Sequence, residues 1–236
     1  VRVSGSLGTA VPDTRTRSMR CTAVMVALCL SATSANCFAD EPTCIPGEDG
    51  RPGTCSFASG DIYEGDFDET GQPHGNGKYF YAGGETYEGG VANGHLDGVG
   101  SFIFSSGDWY DGLWLQGQMH GEGKYSYATG DVYEGYFKEG LMHGTGVFSY
   151  VSGDQYEGSY FDDLMHGNGK YFYQTGAVYE GGWSHGEMHG HGTFWSESGD
   201  IYEGDFARGK KHGLGKMSYS DGQHHEGHWL NGDFVP

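Results

Sequence analysis

One triplet, Tyr-Glu/Asp-Gly, recurs at a nearly constant interval and constrains the fold more than any other feature of the chain. It begins at Tyr63, Tyr87, Tyr110, Tyr133, Tyr156, Tyr179 and Tyr202, and it returns as His-Glu-Gly at His225. The first interval is 24 residues and every later one is 23. A period of this size indicates tandem structural units that each contact only their neighbours. We therefore predict a repeat array over residues 63–236, with seven full repeats and a truncated eighth.

Each repeat is predicted to form a β-hairpin. Aromatic residues occupy alternate positions before the hairpin turn, as at Tyr125 and Tyr127, which is typical of a strand with one apolar face. After the turn, Tyr133 and Phe137 fall on the same face. Turns such as residues 106–108 place Gly where a positive φ closes a short hairpin. A looser Gly-x-x-His-Gly connection is expected between successive hairpins.

The glycine of the triplet is predicted to be structural. It lies in the middle of the second strand, where the missing side chain leaves room for a neighbouring aromatic ring on the backbone. These glycines are Gly65, Gly89, Gly112, Gly135, Gly158, Gly181 and Gly204. The fold expected from the strands and turns is all-β: one elongated, twisted antiparallel sheet of repeated hairpins.

The pattern Tyr-Glu-Gly, aromatic, Gly, His-Gly-x-Gly at a 23-residue period resembles the MORN repeat family, over residues 53–234. The family is named for a proposed role in membrane recognition. Its members occur as adaptors, in cytoskeletal and ciliary proteins, and beside catalytic domains such as those of phosphatidylinositol-phosphate kinases. The resemblance therefore implies a MORN solenoid that acts in interaction or regulation.

The segment before the array has two parts. Residues 1–39 resemble a secretory signal peptide, because Met19 and Arg20 precede a short apolar run and small residues. This predicts the secretory pathway or the extracellular space; an organelle presequence and an intracellular, membrane-associated protein are the alternatives. Residues 40–62 are interpreted as an N-terminal cap half-repeat. Within it, Cys44 and Cys55 are a candidate disulfide, with a free thiol pair as the alternative.

The charge of the chain restricts its partners. Acidic residues outnumber basic ones 32 to 13, and without residues 1–39 the counts are 31 and 9. Such a charge repels phosphate backbones and anionic lipid head groups, so nucleic-acid binding is not expected and lipid binding is disfavoured. A basic protein partner is favoured. End-to-end association of copies through the terminal strand edge is a further expectation.

Two sets of polar residues recur at equivalent positions of the repeats, and each could in principle form a metal or acid–base site. We call them the histidine ladder and the carboxylate ladder. Histidines recur in one register, at His74, His120, His143, His166, His189 and His212, with Asp97 in the second copy. The spacing between hairpins is too wide for one metal ion, so hydrogen bonds in connecting loops are expected. A carboxylate follows each Tyr, and contact with backbone or loop donors is expected for it. No catalytic motif is found, and neither an enzyme activity, a metal nor a cofactor is predicted.

One set of positions differs between copies and faces away from the aromatic side. Phe80, Ile103, Phe172 and Trp195 interrupt small polar residues there and form the candidate interaction surface. Coverage of this face by the chain's own loops is the alternative. The predicted function is a non-catalytic protein-interaction or scaffolding module. The alternatives are a peripheral lipid-associating protein and the regulatory part of a larger phosphatidylinositol-phosphate kinase-like enzyme.

Overall fold

The computed structural model describes residues 42–48 and 52–236, and every regular element among them is a β-strand. The predicted leader, residues 1–39, lies outside the described residues, as do residues 40–41 and 49–51 of the predicted cap. The strands are β1 (Thr43–Ile45), β2 (Gly53–Ser56), β3 (Ile62–Phe67), β4 (Pro73–Phe80), β5 (Thr86–Ala92), β6 (His95–Ile103), β7 (Trp109–Leu115), β8 (Gln118–Ser126), β9 (Val132–Lys138), β10 (Leu141–Ser149), β11 (Gln155–Phe161), β12 (Leu164–Phe172), β13 (Val178–Ser184), β14 (Glu187–Trp195), β15 (Ile201–Ala207), β16 (Lys210–Ser218), β17 (His224–Leu230) and β18 (Asp233–Val235).

The described chain divides into two compact units at Leu141 and Met142. In the first unit, β1 to β9 pair in chain order, each antiparallel to the next. In the second unit, β10 to β18 do the same. The predicted all-β fold of repeated antiparallel hairpins is therefore confirmed.

The connection between hairpins is a two-residue turn, so the predicted looser segment is wrong. Gln116 and Gly117 both have positive φ, 49° and 79°, which is the geometry of a tight turn that matches strand twist. Because the turn needs only these two residues, the strand resumes at once, and His120 and Gly121 lie inside β8. The pairing of β7 with β8 shifts register between Gly112 and Leu113, which is a β-bulge.

Within the first unit, hydrogen bonds join consecutive repeats at both ends of the strands. At the two-residue turns, Gly117 N donates to Leu96 O at 2.8 Å and Gly140 N donates to Met119 O at 3.0 Å. At the opposite edge, Ala128 N donates to Asp108 Oδ1 at 2.8 Å. Since these bonds join positions 20 or more residues apart, consecutive repeats are held in register on both sides.

The apolar core of each unit is built from aromatic rings on one face of the strands. Tyr110 is fully buried and packs edge-on against Trp114 and Phe137, with ring centroids 5.2 and 5.1 Å apart. Its hydroxyl donates to Leu113 O at 2.9 Å. Gly112 and Gly123 lie opposite each other under this ring. The ring over the triplet glycine is therefore that of the same triplet's Tyr.

In two of the turns, at Asp108 and Asp154, the aspartate accepts a second bond from a core tyrosine. Tyr171 Oη donates to Asp154 Oδ2 at 3.0 Å, while Gln174 N donates to Asp154 Oδ1 at 2.7 Å. Burial and the neighbouring tyrosine and aspartate raise the pKa of Tyr171 well above its ordinary value, so this hydroxyl is a donor at any working pH. The bond links the core of the second unit to its turn edge.

Tyr171→Phe is expected to lower the free energy of unfolding by about 1 kcal/mol, because it leaves a charged acceptor with one bond fewer. Chemical denaturation followed by tryptophan fluorescence measures the change. Tyr173→Phe is the matched control, since the Tyr173 hydroxyl is buried with no hydrogen-bond partner among the described atoms. Equal losses in the two variants would contradict the assignment of this bond.

Candidate interaction surface

The outer face is defined here as the face of the strands opposite the aromatic core. Side chains alternate along a strand, so residues next to a buried core tyrosine point to this face. On β6 and β7 it is formed by three cross-strand pairs, namely Ile103 with Trp109, Ser101 with Asp111, and Val99 with Leu113. Outer-face side chains of neighbouring strands therefore stand in rows that run across the strands.

In the first unit, one row joins two of the residues predicted for the interaction surface. Ile62, Phe80, Thr86, Ile103 and Trp109 occupy successive strands from β3 to β7, each paired with the next, and we call them the first outer row. The four apolar members are exposed. Phe80 and Ile103 lie in this row, separated by Thr86. Sequence reasoning missed Ile62 and Trp109, although each directly precedes a triplet tyrosine and so must face outward.

The second unit has a corresponding row on β12 to β15. Phe172, Val178, Trp195 and Ile201 are paired in that order and form the second outer row. The structure therefore brings the predicted residues Phe172 and Trp195 onto one row, on either side of Val178. Both rings are half-buried, and Lys170 Nζ lies 5.4 Å from the centroid of the Phe172 ring. Sequence reasoning also missed Val178 and Ile201, although each directly precedes a triplet tyrosine.

A charged row runs beside each apolar row. The triplet carboxylates lie opposite lysines on adjacent strands, with Lys78 Nζ 2.8 Å from Glu88 Oε2 and Lys170 Nζ 3.1 Å from Glu180 Oε2. In the first unit, Lys124 Nζ lies 3.9 Å from Glu134 Oε2. For Glu88, Glu134 and Glu180, the expected contact with backbone or loop donors is wrong. The side chains of these three carboxylates point away from the backbone, and each forms an ion pair with a lysine on the adjacent strand.

The histidine ladder lies within strands near the two-residue turns rather than in loops. His143 Nδ1 is 3.4 Å from Asp162 Oδ1, and the rings of His166 and His185 are 5.9 Å apart. Asp97, the substitute in the second copy, accepts a bond from Gln116 N at 3.2 Å. Across the part of the chain that the structure describes, no three His, Cys, Asp or Glu side chains are placed to hold a metal ion.

The cap brings the two cysteines of the candidate disulfide together. Cys44 on β1 lies directly opposite Cys55 on β2, and their Sγ atoms are joined. Cys55 is fully buried and pairs with Tyr63 on β3, at the start of the aromatic core. Cys55 thus occupies the register position that aromatic residues occupy in later repeats.

Comparison with known proteins gives one informative match. The family model of the MORN repeat matches seven consecutive segments, at residues 63–86, 87–109, 110–132, 133–155, 156–178, 179–201 and 202–224. No curated protein sequence matches the chain. Within residues 42–48 and 52–236 there is also no helix of the length and hydropathy that a bilayer crossing requires.

Similar solved structures are distant. The TCP domain of SAS-4 from Drosophila melanogaster, solved in complex with a proline-rich motif of Ana2, is 11% identical with a TM-score of 0.39; the alignment covers 85% of this chain and 99% of that one. The TCP10 domain of CPAP from Danio rerio, solved with a STIL peptide, is 12% identical with a TM-score of 0.36, over 77% of this chain and 86% of that one. Virginiamycin B lyase from Staphylococcus aureus is 10% identical with a TM-score of 0.18, over 80% of this chain and 73% of that one.

Proposed function

The chain belongs to the MORN repeat family, and we propose that it is a non-catalytic interaction and scaffolding module whose outer face binds a protein partner. The observation that carries this proposal is the first outer row. Its exposed apolar members form two cross-strand pairs on one surface, Ile62 with Phe80 and Ile103 with Trp109, separated by Thr86. Clustered exposed apolar side chains with a charged rim are typical of protein-binding surfaces.

The charge of the outer face favours a basic partner. In the first unit the charged row holds four carboxylates and two lysines, at Glu64, Lys78, Glu88, Asp111, Lys124 and Glu134. The chain as a whole carries a formal net charge of −19. Complementary charge accelerates encounter and suppresses wrong partners, so a basic surface gains most from this face. An anionic lipid surface is repelled by the same charge.

Repetition also favours scaffolding over catalysis. The triplet carboxylates and the histidine ladder recur in equivalent positions, whereas catalysis needs one distinct group of acid, base and nucleophile. Equivalent sites at regular intervals suit a surface that holds an extended or repeated partner. If the partner is a second copy of this chain, the same surface joins the copies to each other.

The test is cross-linking mass spectrometry of the full chain with extract from its native source, comparing wild type with Ile103→Ser/Trp109→Ser. Cross-links from a protein partner are expected to map to β3–β7 and to disappear in the double variant. Val235→Ser, which alters an exposed apolar residue on β18, is the matched control. Cross-links between copies would identify the partner as a second chain.

Two outcomes would refute this function. One is a partner whose cross-links persist in the Ile103→Ser/Trp109→Ser variant while that variant remains folded by circular dichroism. The other is flotation of the wild-type chain with anionic phosphatidylserine vesicles at physiological salt, which would favour lipid association instead.

A further inference from the structure

The lysines of the charged row reveal a second, longer period in the array. Lys78, Lys124, Lys170 and Lys216 follow one another at intervals of 46 residues, which is two repeats. The equivalent positions in the repeats between them hold Ser101, Val147 and Thr193. The core alternates in the same way, because Tyr79, Tyr125 and Tyr171 take turns with Phe102, Phe148 and Phe194. The sequence therefore repeats in pairs of repeats, and in each pair one repeat has a lysine at this position and the other does not.

The β6–β7 hairpin is a lysine-free member of this series, and its carboxylate has no cation. Asp111 accepts a hydrogen bond from Ser101 Oγ at 2.7 Å, and no ion pair of Asp111 is formed within the described residues. Lys124, which lies opposite Asp111 on β8, is directed to Glu134 on the other side. Glu88, on the far side of Ser101, is held by Lys78. Asp111 is thus open to an external cation. Glu64 at the end of the row also has no ion pair among the described residues, but it lies opposite Thr54 and its neighbouring pair is Ser56 with Ile62, so it is not flanked by apolar pairs.

Apolar side chains surround that carboxylate on both sides along the strands. Ile103 and Trp109 lie on one side and Val99 and Leu113 on the other, with exposed fractions of 52%, 43%, 68% and 40%. The hairpin therefore presents an apolar pair, an acidic position and a second apolar pair in succession. Along an extended strand these positions are two residues, or about 6.8 Å, apart.

We propose that the outer face of β6–β7 docks an extended segment of the partner protein in which a Lys or Arg lies between two apolar residues at alternate positions. This inference rests on the proposed function and names the chemistry of its partner. The side chains of such a segment have the same spacing as the apolar–acidic–apolar positions of the hairpin. The basic group pairs with Asp111, and the exposed Trp109 ring offers a face for a guanidinium. The flanking apolar residues cover Val99, Leu113 and Ile103.

The other described hairpins match this pattern less well. On β8–β9 the middle pair is Lys124 with Glu134, which is already neutral. The β14–β15 hairpin of the second unit is also lysine-free, with Thr193 opposite Glu203. Its third pair, however, is polar, because His191 Nδ1 lies 3.4 Å from Asp205 Oδ1.

A substitution that neutralises Asp111 can be taken from the neighbouring repeats of the same chain. Ser101→Lys places at this position the residue that Lys78 and Lys124 provide in the neighbouring repeats. The new ammonium is expected to pair with Asp111 and Glu88 across the strands, so the fold should be retained. Thermal unfolding by circular dichroism checks this before binding is measured.

The probe is a fluorescein-labelled peptide with the central sequence Leu-Thr-Arg-Thr-Val, titrated with the full chain and followed by fluorescence anisotropy. Saturable binding is expected for the wild type, and Ser101→Lys is expected to weaken it by about 10-fold, through loss of one ion pair and added repulsion. A peptide with Glu in place of Arg should not bind. Ala128→Lys, which adds the same charge at an exposed hairpin turn of the same unit, should change the affinity less than about 2-fold.

Three results would overturn the inference: absence of binding at millimolar chain, unchanged affinity in Ser101→Lys, or an equal loss in Ala128→Lys. The proposed function fails separately. A native partner whose cross-links vanish in Ile103→Ser/Trp109→Ser yet persist in Ser101→Lys would leave the outer face as an interaction surface and refute the role of Asp111.

Discussion

Gly123→Ala is expected to destabilise the first unit by about 3 kcal/mol, although it adds a single methyl group. The new Cβ would lie 2.6 Å from Cε2 of the Tyr110 ring, and it would also meet the Tyr110 hydroxyl. The ring has no free space to enter, because it packs between Trp114 and Phe137. Moving it would also break the bond from its hydroxyl to Leu113 O.

Chemical denaturation of the full chain measures this loss, and hydrogen exchange locates it in β7 and β8. Gly83→Ala is the control in the same unit, since the atoms nearest to its Cβ would be those of the flexible carboxylate end of Glu85. That variant is expected to change the free energy of unfolding by less than about 0.5 kcal/mol. A Gly123→Ala protein as stable as the control would show that the ring does not depend on the bare backbone beneath it.

The paired glycines explain why so much of this fold can be predicted from sequence. The Tyr110 ring lies on the backbone two residues further along the chain, so position 112 must be Gly. The residue directly opposite on the next strand, Gly123, must be Gly for the same reason. Local sequence therefore records a long-range packing requirement in every repeat. The hairpin connection was harder to predict, because His120 and Gly121 have the composition of a loop. The two-residue turn at Gln116 and Gly117 makes them part of a strand.

The candidate surface was only partly predictable for a different reason. Alternation along one strand assigns Phe80 and Ile103 to the outer face, but it does not say which residues stand beside them. The register between strands does, and it adds Ile62 and Trp109 to the row. Likewise, the carboxylate ladder is visible in the sequence, whereas the partner of each carboxylate is decided by the side chain across the strand.

One turn departs from the repeat in a way that sequence periodicity already marks. Six equivalent turns have Gly as their second residue, at Gly94, Gly117, Gly140, Gly186, Gly209 and Gly232. The remaining turn has Asp163, with a φ of 67° and only 8% of the residue exposed. Its Oδ1 accepts a bond from Met142 N at 2.8 Å. A buried carboxylate here introduces a dependence on pH that glycine does not.

Asp163→Asn is expected to stabilise the second unit above about pH 6 and to leave it nearly unchanged near pH 4. Burial raises the pKa of Asp163 from 3.8 to about 6, with Asp162 adding to the shift and the bond from Met142 N opposing it. A raised pKa means that the folded state holds the proton more tightly, so stability is greatest below 3.8 and is lost as the pH rises through about 6. At full strength this shift corresponds to ~3 kcal/mol, and solvent screening at a surface turn reduces it to about 2 kcal/mol.

Asparagine retains the acceptor for Met142 N and tolerates a positive φ, so the variant removes the charge while keeping the turn. The measured quantity is the difference in the free energy of unfolding between variant and wild type, from pH 4 to pH 8, because contributions that the two proteins share cancel in this difference. Asp162→Asn is the control: Asp162 is exposed and lies 3.4 Å from His143. Because exposed ion pairs contribute little to stability, that variant should change the free energy of unfolding by less than about 1 kcal/mol at every pH in this range. If the two variants gave parallel curves, the pH response would belong to the turn as a whole rather than to the buried carboxylate.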